Sequence, residues 1–331
     1  MNTGLPSLAQ VEEARRVIAP VVVRAPLVRL DATDTRLRDA GLDIYLKLEN
    51  LQPTGAFKIR GAASAMGHMT SEELSGGVVT ASAGNMAQAV AWQARELGVP
   101  CTVIVPESAP EVKVKAVERL GAKALRVTYD EWWSAFENHG HPGVSGAFIH
   151  AFDDLYVMAG NGTLALEILE DLPDVDAIIT PYGGGGLTAG VAATLHELKP
   201  ECRMYAAEVA GAAPLAAALA AGSPQVIEFH PSFVDGIGSR SVFPQMFERV
   251  RGLIQGSLVA EVREVAQAVL MVAERNRVIA EGAGACPVAN ALAGRAGRGK
   301  IVCVVSGGNI DLAELAALWI PGRPAPRPKR K

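Results

Sequence analysis

Lys58 sits in Thr54-Gly55-Ala56-Phe57-Lys58-Ile59-Arg60-Gly61, between an aromatic and a branched aliphatic residue, with a glycine three residues to either side. Burying an ammonium is costly unless it is paired or neutralised. Such a lysine is therefore either a surface residue whose stem lies on apolar neighbours or a reactive amine. Three later turns favour the amine: Ser82-Ala83-Gly84-Asn85, Gly183-Gly184-Gly185-Gly186 and Ser306-Gly307-Gly308-Asn309. Each follows an apolar, strand-like run, and in a parallel sheet such turns leave the carboxyl ends of strands, where open α/β folds bind ligands. Glycine lets the backbone come close to a ligand. Four glycines before a helix that opens at Leu187 present bare N–H groups and a helix dipole to an anion, with phosphate the obvious candidate. An amine that holds a carbonyl group, beside a turn that grips a phosphate, is the chemistry this set suggests.

The elements that must position these turns can be read in chain order. Residues 7–19 form a helix stopped by Pro20, and residues 44–49 alternate as a strand that delivers the chain to Lys58. Residues 59–69 read as a helix, which puts Lys58 near a helix N-terminus. From about residue 76 a strand–helix rhythm begins: strands at 78–82, 101–106 and 124–128, and helices at 86–97 and 110–120, closed by Gly98 and Gly121. This is a compact parallel-sheet unit. Residues 137–145 read as a loop. Helices follow at 164–172, 187–198, 261–275 and 312–318, and strands at 177–181, 203–207 and 301–305. The expected fold class is α/β with two open, twisted parallel-sheet domains. Residues 76–150 form the smaller, inserted into a larger one made of 1–75 and 151–321. The Pro-rich, basic residues 322–331 read as a solvated tail.

Bulk composition narrows the function. The chain has 331 residues, 49% hydrophobic and 20% charged, which is globular and long enough for two cores. A net charge of −4 offers no basic face for nucleic acid. The longest uncharged apolar stretch, residues 209–222, is too short to span a bilayer and contains Pro214. No secretory leader opens the chain, so a cytoplasmic location is expected. Cys101, Cys202, Cys286 and Cys303 show no paired spacing, and they read as buried thiols rather than disulfides or a metal site.

A rival reading exists. Residues 184–189 fit GxGxx(G/A), with Glu208 about twenty residues on, the outline of a dinucleotide-binding turn in a dehydrogenase. It leaves Lys58 and the turns at Ser82 and Ser306 unexplained.

Taken together, TGAFKIRGA around Lys58, SAGNMAQA from Ser82, GNGTLALEIL from Gly160, GGGGL from Gly183, EGAGA from Glu281 and SGGNID from Ser306 carry a resemblance over residues 10–318. They resemble the fold-type II (tryptophan synthase β-like) pyridoxal-phosphate enzymes, specifically the serine/threonine dehydratase family with its serine racemase relatives. The resemblance implies pyridoxal 5'-phosphate held covalently by Lys58, which later moves the Cα proton. Phe57 packs on the cofactor ring, Asn85 bonds the ring's 3-oxygen, and Ser306 faces the ring nitrogen. Gly183, Gly184, Gly185, Gly186 and Leu187 hold the phosphate, which in turn protonates the departing hydroxyl. Ser82 and the turn that runs through Ala83, Gly84, Asn85, Met86 and Gln88 hold the substrate carboxylate. Gly236 and Glu281 line the cofactor's other edge. The implied reaction is α,β-elimination from threonine or serine to a 2-oxo acid and ammonia, in a homodimer; β-replacement on the same fold is the alternative.

Three departures refine this. Ala83 stands where the racemases carry a second serine, so one-way elimination is expected over inversion at Cα. Met86 replaces a histidine usual in the dehydratases, giving a more apolar wall that suits a side chain bulkier than serine's, an aryl-serine such as phenylserine included. Glu208 matches one cation ligand of some relatives, but Pro214 occupies the place of a second acid, so no metal is expected. The chain ends soon after SGGNID, so feedback by isoleucine through a regulatory domain is not expected.

Overall fold

The computed structural model describes residues 4–31 and 35–319; the expected tail at 322–331 lies outside them. Among the described residues, ten strands form two sheets. The strands are β1 (Leu27–Arg29), β2 (Leu42–Leu48), β3 (Val78–Ala81), β4 (Cys101–Pro106), β5 (Lys123–Val127), β6 (Ala147–Phe148), β7 (Ala177–Pro181), β8 (Arg203–Val209), β9 (Gly256–Ala260) and β10 (Gly299–Val305). One sheet has the order β1-β2-β10-β7-β8-β9 and the other β5-β4-β3-β6. Every pairing among the described strands is parallel except β1 with β2.

The burial of these strands follows from where they sit. Ile301 to Val305 of β10 are all fully buried between β2 and β7. A strand with helices on both faces reads as a continuous β-branched run rather than an alternation. β5 is an edge, and it carries exposed Lys123 and Arg126, which discourage pairing with a foreign strand. Helices Lys58–Gly67, Leu155–Asp171 and Gly186–Leu198 pack together on one face of the six-stranded sheet's unit.

The helix read as 164–172 in fact begins at Leu155, where Asp154 accepts a hydrogen bond from the Val157 N–H at 2.9 Å. Its early Gly160, Asn161 and Gly162 look like breakers, but all three are buried against neighbouring elements. Small side chains there let helices approach closely, and tertiary packing overrides propensity.

One buried ionic network fixes the helix that carries Lys58. Arg60 is fully buried and forks between Glu49 (both contacts 2.8 Å) and Glu167 (2.7 and 2.9 Å), with Thr163 at 3.0 Å. Lys47, also fully buried, joins Glu167 at 2.6 Å and donates to the Ala25 carbonyl at 2.7 Å. Lys47 also lies 3.8 Å from Asp171, which pairs in turn with Arg24, so each buried charge of the network has a counter-charge. All four cysteines are free and buried, and burial pushes the Cys101 thiol up to about 12, away from reactive thiolate.

Candidate active site

The carboxyl ends of β3, β7 and β10 deliver their turns to a single cavity of about 330 Å³. It is lined by Phe57, Lys58, residues 82–86, residues 183–187, Gly236, Glu281 and Ser306, so every site residue expected from the sequence is brought together there except one. Gln88 lies a turn further along its helix, in an adjoining groove with Asn85 and Lys113.

Backbone pairing sets this convergence. The Phe57 N–H donates to the Ser306 carbonyl at 2.9 Å, the Gly308 N–H to the Gly55 carbonyl at 2.9 Å, and Ala56 bridges Gly307. The Glu281 N–H donates to the Gly307 carbonyl at 3.0 Å. The turn beyond β10 thus carries both the lysine and the glutamate. Asn85 closes the ring: its Nδ2 donates to Glu281 Oε1 at 2.8 Å, and its Oδ1 accepts from Asn309 Nδ2 at 2.9 Å. An amide nitrogen has two hydrogens, so Asn85 keeps one donor for a ligand.

Lys58 opens the helix Lys58–Gly67 and lines the cavity rather than the outer surface. Its Nζ donates to the Ala151 carbonyl at 2.8 Å and lies 5.1 Å from the Phe57 ring centre. Burial lowers its pKa to about 8, and a helix N-terminus disfavours positive charge in the same direction. At pH 7 about a tenth of the amine is therefore neutral, far more than for a free lysine, and the neutral amine is the form that attacks carbonyl carbon.

Glu281 is held near 7 by burial, partly opposed by its bond from Asn85. Its proton stays on in the folded protein at pH values where the unfolded chain, near 4.5, has lost it. Glu281 therefore contributes stability to the cofactor-free protein that is lost as pH rises from about 4.5 to about 7, about 3 kcal/mol at 1.36 per unit, while buried His150, lowered to about 4, contributes in the opposite sense over an overlapping range. Glu281→Gln is expected to remove that slope, and urea unfolding of the cofactor-free protein at pH 5 and pH 8 measures it. A Glu281→Gln protein whose stability changes between pH 5 and pH 8 by the same amount as the wild type would contradict the assignment.

Sequence reading passed over several walls of this cavity. Ala151 and Phe152 follow β6, a strand of two residues with no apolar run to announce it. They are held by His150, whose Nδ1 accepts from the N–H groups of Phe152 (3.2 Å) and Asp153 (2.8 Å). Burial pushes His150 down to about 4, so it is a neutral acceptor. Trp132, Lys113 and Asp235 also reach the cavity, and the last two form an ion pair at 2.6 Å across its mouth. Glu208 lies elsewhere. Its carboxylate accepts from Leu215 N–H and Ala216 N–H (both 2.8 Å) and from Ser257 Oγ (2.6 Å), which leaves it no role on a ribose.

The model of the pyridoxal-phosphate dependent enzyme family matches residues 18–307 of this chain. The chain belongs to that family. It is 38% identical over 310 residues to an L-threonine ammonia-lyase of Thermotoga maritima, covering 92% of this chain and 76% of that one. It is 42% identical over 286 residues to an L-threonine ammonia-lyase of Geobacter sulfurreducens, covering 84% and 70%. The crystal structure of serine racemase from Dictyostelium discoideum superposes with a TM-score of 0.82 at 35% identity, over 93% of this chain and 99% of that one. The chain is a fold-type II lyase of the serine/threonine dehydratase family, and its cofactor is pyridoxal 5'-phosphate.

The cavity of this pyridoxal-phosphate enzyme fits that group. Residues 184–186 crowd so tightly that side chains cannot be added without displacing their neighbours. A Cβ on Gly184 would stand 2.1 Å from the Phe152 ring, and one on Gly185, at φ +92°, would stand 2.9 Å from the Tyr182 hydroxyl. That hydroxyl is buried and has no partner among the described residues. The helix Gly186–Leu198 that follows has no side-chain cap, so its first N–H groups are free for an anion. The helices that begin at Lys58, Asn85 and Gly282 reach the same cavity equally uncapped. By contrast, Ser7, Thr70 and Thr128 close capping boxes on helices elsewhere. Gly184→Ala is expected to weaken pyridoxal-phosphate binding by about 10- to 100-fold, the scale of one charge-assisted hydrogen bond. Equilibrium dialysis against the cofactor checks it, and unchanged affinity would remove the glycine turn from the site.

Proposed function

We propose that the protein deaminates L-threonine and L-serine to their 2-oxo acids and ammonia. The observation that carries this is the shared cavity: a half-buried Lys58 amine with a lowered pKa faces helix N-termini that no side chain caps, with Ser82, Asn85 and Ser306 between them. When bound, pyridoxal phosphate supplies the electron sink that acidifies the substrate's Cα–H bond. The chain's own groups do the rest. Lys58 takes the Cα proton through the amine that tethered the cofactor. Ser82 and the N–H groups that open the helix Asn85–Leu97 hold the substrate carboxylate, where the helix dipole favours an anion. Asn85 turns its spare amide hydrogen to the ring's 3-oxygen, Phe57 packs on the ring, and Ser306 meets its nitrogen. Residues 183–187 grip the phosphate, and Gly236 and Glu281 close the other edge.

Ser306 is a hydroxyl rather than a carboxylate; facing the ring nitrogen of the bound cofactor, it would not enforce a protonated ring, which suits elimination of a β-substituent. Ala83 offers no acid or base on the opposite face, so the product is the 2-oxo acid without the D-amino acid. The reading places the cofactor between two units, 76–150 against 1–75 with 151–321, in a cytoplasmic homodimer such as the family resemblance implies. Among the described residues, no helix is long and apolar enough to cross a membrane.

The test is a direct assay of the cofactor-loaded protein on L-threonine and L-serine. Equimolar 2-oxo acid and ammonia are expected, with no D-serine. Addition of a thiol that diverts serine into a new amino acid, in place of pyruvate, would replace elimination with β-replacement.

A further inference from the structure

At about 330 Å³ the catalytic cavity lies at the low end of the roughly 300–1,000 Å³ typical of small-ligand sites. It has to receive the cofactor and the substrate's α-carbon, which leaves little room for a β-substituent. Its Trp132 wall is shared with a second cavity of about 580 Å³, whose other walls include Tyr129, Trp133, Val226 and Phe229. Aromatic residues make up only 5% of the chain, yet two of its four tryptophans stand here. They are stiffened from behind. Trp132 meets Phe136 edge-on at 5.1 Å, and Trp133 stacks on Phe243 at 5.0 Å. Phe152, itself a wall of the catalytic cavity, packs on both Phe136 (5.8 Å) and Phe243 (5.0 Å).

Two details point to an occupant. Trp132 Nε1 is buried with no partner among the described residues, although a buried indole N–H ordinarily finds one. Val226 is 82% exposed on the lip of the second cavity, an aliphatic side chain that an apolar group entering the cavity would cover. The rim carries charges of both signs, Asp130, Glu137 and Arg240, so it does not select an ionic side chain. Glu137 accepts from Trp133 Nε1 at 3.2 Å, which fixes that ring as a wall.

The geometry points to a side-chain subsite: the second cavity takes the aryl group of a β-aryl-β-hydroxy-α-amino acid, with Trp132 as the wall common to both chambers and Trp133 flanking the ring. This rests on the dehydratase reading above and names its substrate class. The Cα–H and Cβ–OH bonds break, one water leaves, and one water is taken up as the C–N bond is hydrolysed. The products are an arylated 2-oxo acid and ammonia, with no net oxidation. A hydrophobic pocket discriminates about 10- to 200-fold per methylene, so an aryl preference of at least about tenfold is a modest demand.

The experiment has two arms on the holoprotein. In the first, kcat/KM for L-threo-phenylserine and L-threonine is measured by 2-oxo acid release, and phenylserine is expected to lead by at least about tenfold. In the second, L-phenylalanine and L-alanine, which carry no β-hydroxyl to lose, are compared by calorimetry and tryptophan emission. Phenylalanine is expected to bind at least about tenfold tighter and to shift the emission. Trp133→Ala should collapse both preferences and Trp133→Phe should keep them; if Trp133→Ala does not fold, the wild-type binding arm still decides. Equal binding of phenylalanine and alanine to wild type, or a folded Trp133→Ala protein with its preference intact, overturns the subsite. Aryl-selective binding with no 2-oxo acid from either substrate supports the subsite and overturns the reaction instead, so the two failures are distinct.

Discussion

Lys58→Ala is expected to abolish 2-oxo acid release from threonine while leaving the protein folded. Loss of a positioned proton-transfer group alone lowers a rate by about 10²–10⁴-fold, and the covalent hold on the cofactor disappears with the same amine. The fold should survive, because the lysine's polar contact is one bond to the Ala151 carbonyl, and removing a buried amine relieves its desolvation. The checks are a 2-oxo acid assay, the yellow colour that a lysine-bound carbonyl cofactor gives, and a thermal melt. A folded, colourless variant that still turned over threonine would remove Lys58 from the chemistry.

The largest expected effect on stability comes two residues later. Arg60→Met strands Glu49, which is fully buried, and strips Glu167 of two of its bonds. Breaking a buried pair from one side costs about 3–5 kcal/mol, because the remaining carboxylate is left without a counter-charge. Replacing both partners is much less damaging. Arg60→Met combined with Glu49→Gln should therefore be more stable than Arg60→Met alone, since Lys47 and Glu167 remain paired at 2.6 Å. Urea unfolding of the two single variants and the double variant gives the coupling. Additive losses would mean that the network's members act independently. The network also bears on activity: Arg60 lies in the first turn of the helix that aims Lys58, so its loss should weaken cofactor capture as well as the fold.

Much of the site was legible because its signals are local. Glycine-rich turns after apolar runs mark strand ends within a few residues, and the turns at Ser82, Gly183 and Ser306 needed no knowledge of what lies beside them. What could not be read depends on distant partners. Arg60 meets Glu167 across 107 positions of chain, and nothing in a window around either shows the pairing. Phe152 closes the cavity from behind a strand too short to alternate. The helix Leu155–Asp171 was cut short at its glycines, which serve close packing instead of ending it. Trp132 is different, since its helix Tyr129–Glu137 opens with a Thr128–Glu131 capping box that was present in the sequence and passed over. The helix Gly282–Leu292 hid because it contains Pro287 and begins in a glycine-rich run.

The four helix starts that reach the cavity without side-chain caps have a consequence for the lifetime of the protein in a cell. Amide groups that no side chain caps are met by solvent or by the cofactor's phosphate, so binding of that anion stabilises the folded chain. A ligand that binds only the closed form stabilises it by about 2.7 kcal/mol at a hundredfold excess over its dissociation constant. Supply of vitamin B6 should then govern how long this chain resists proteases.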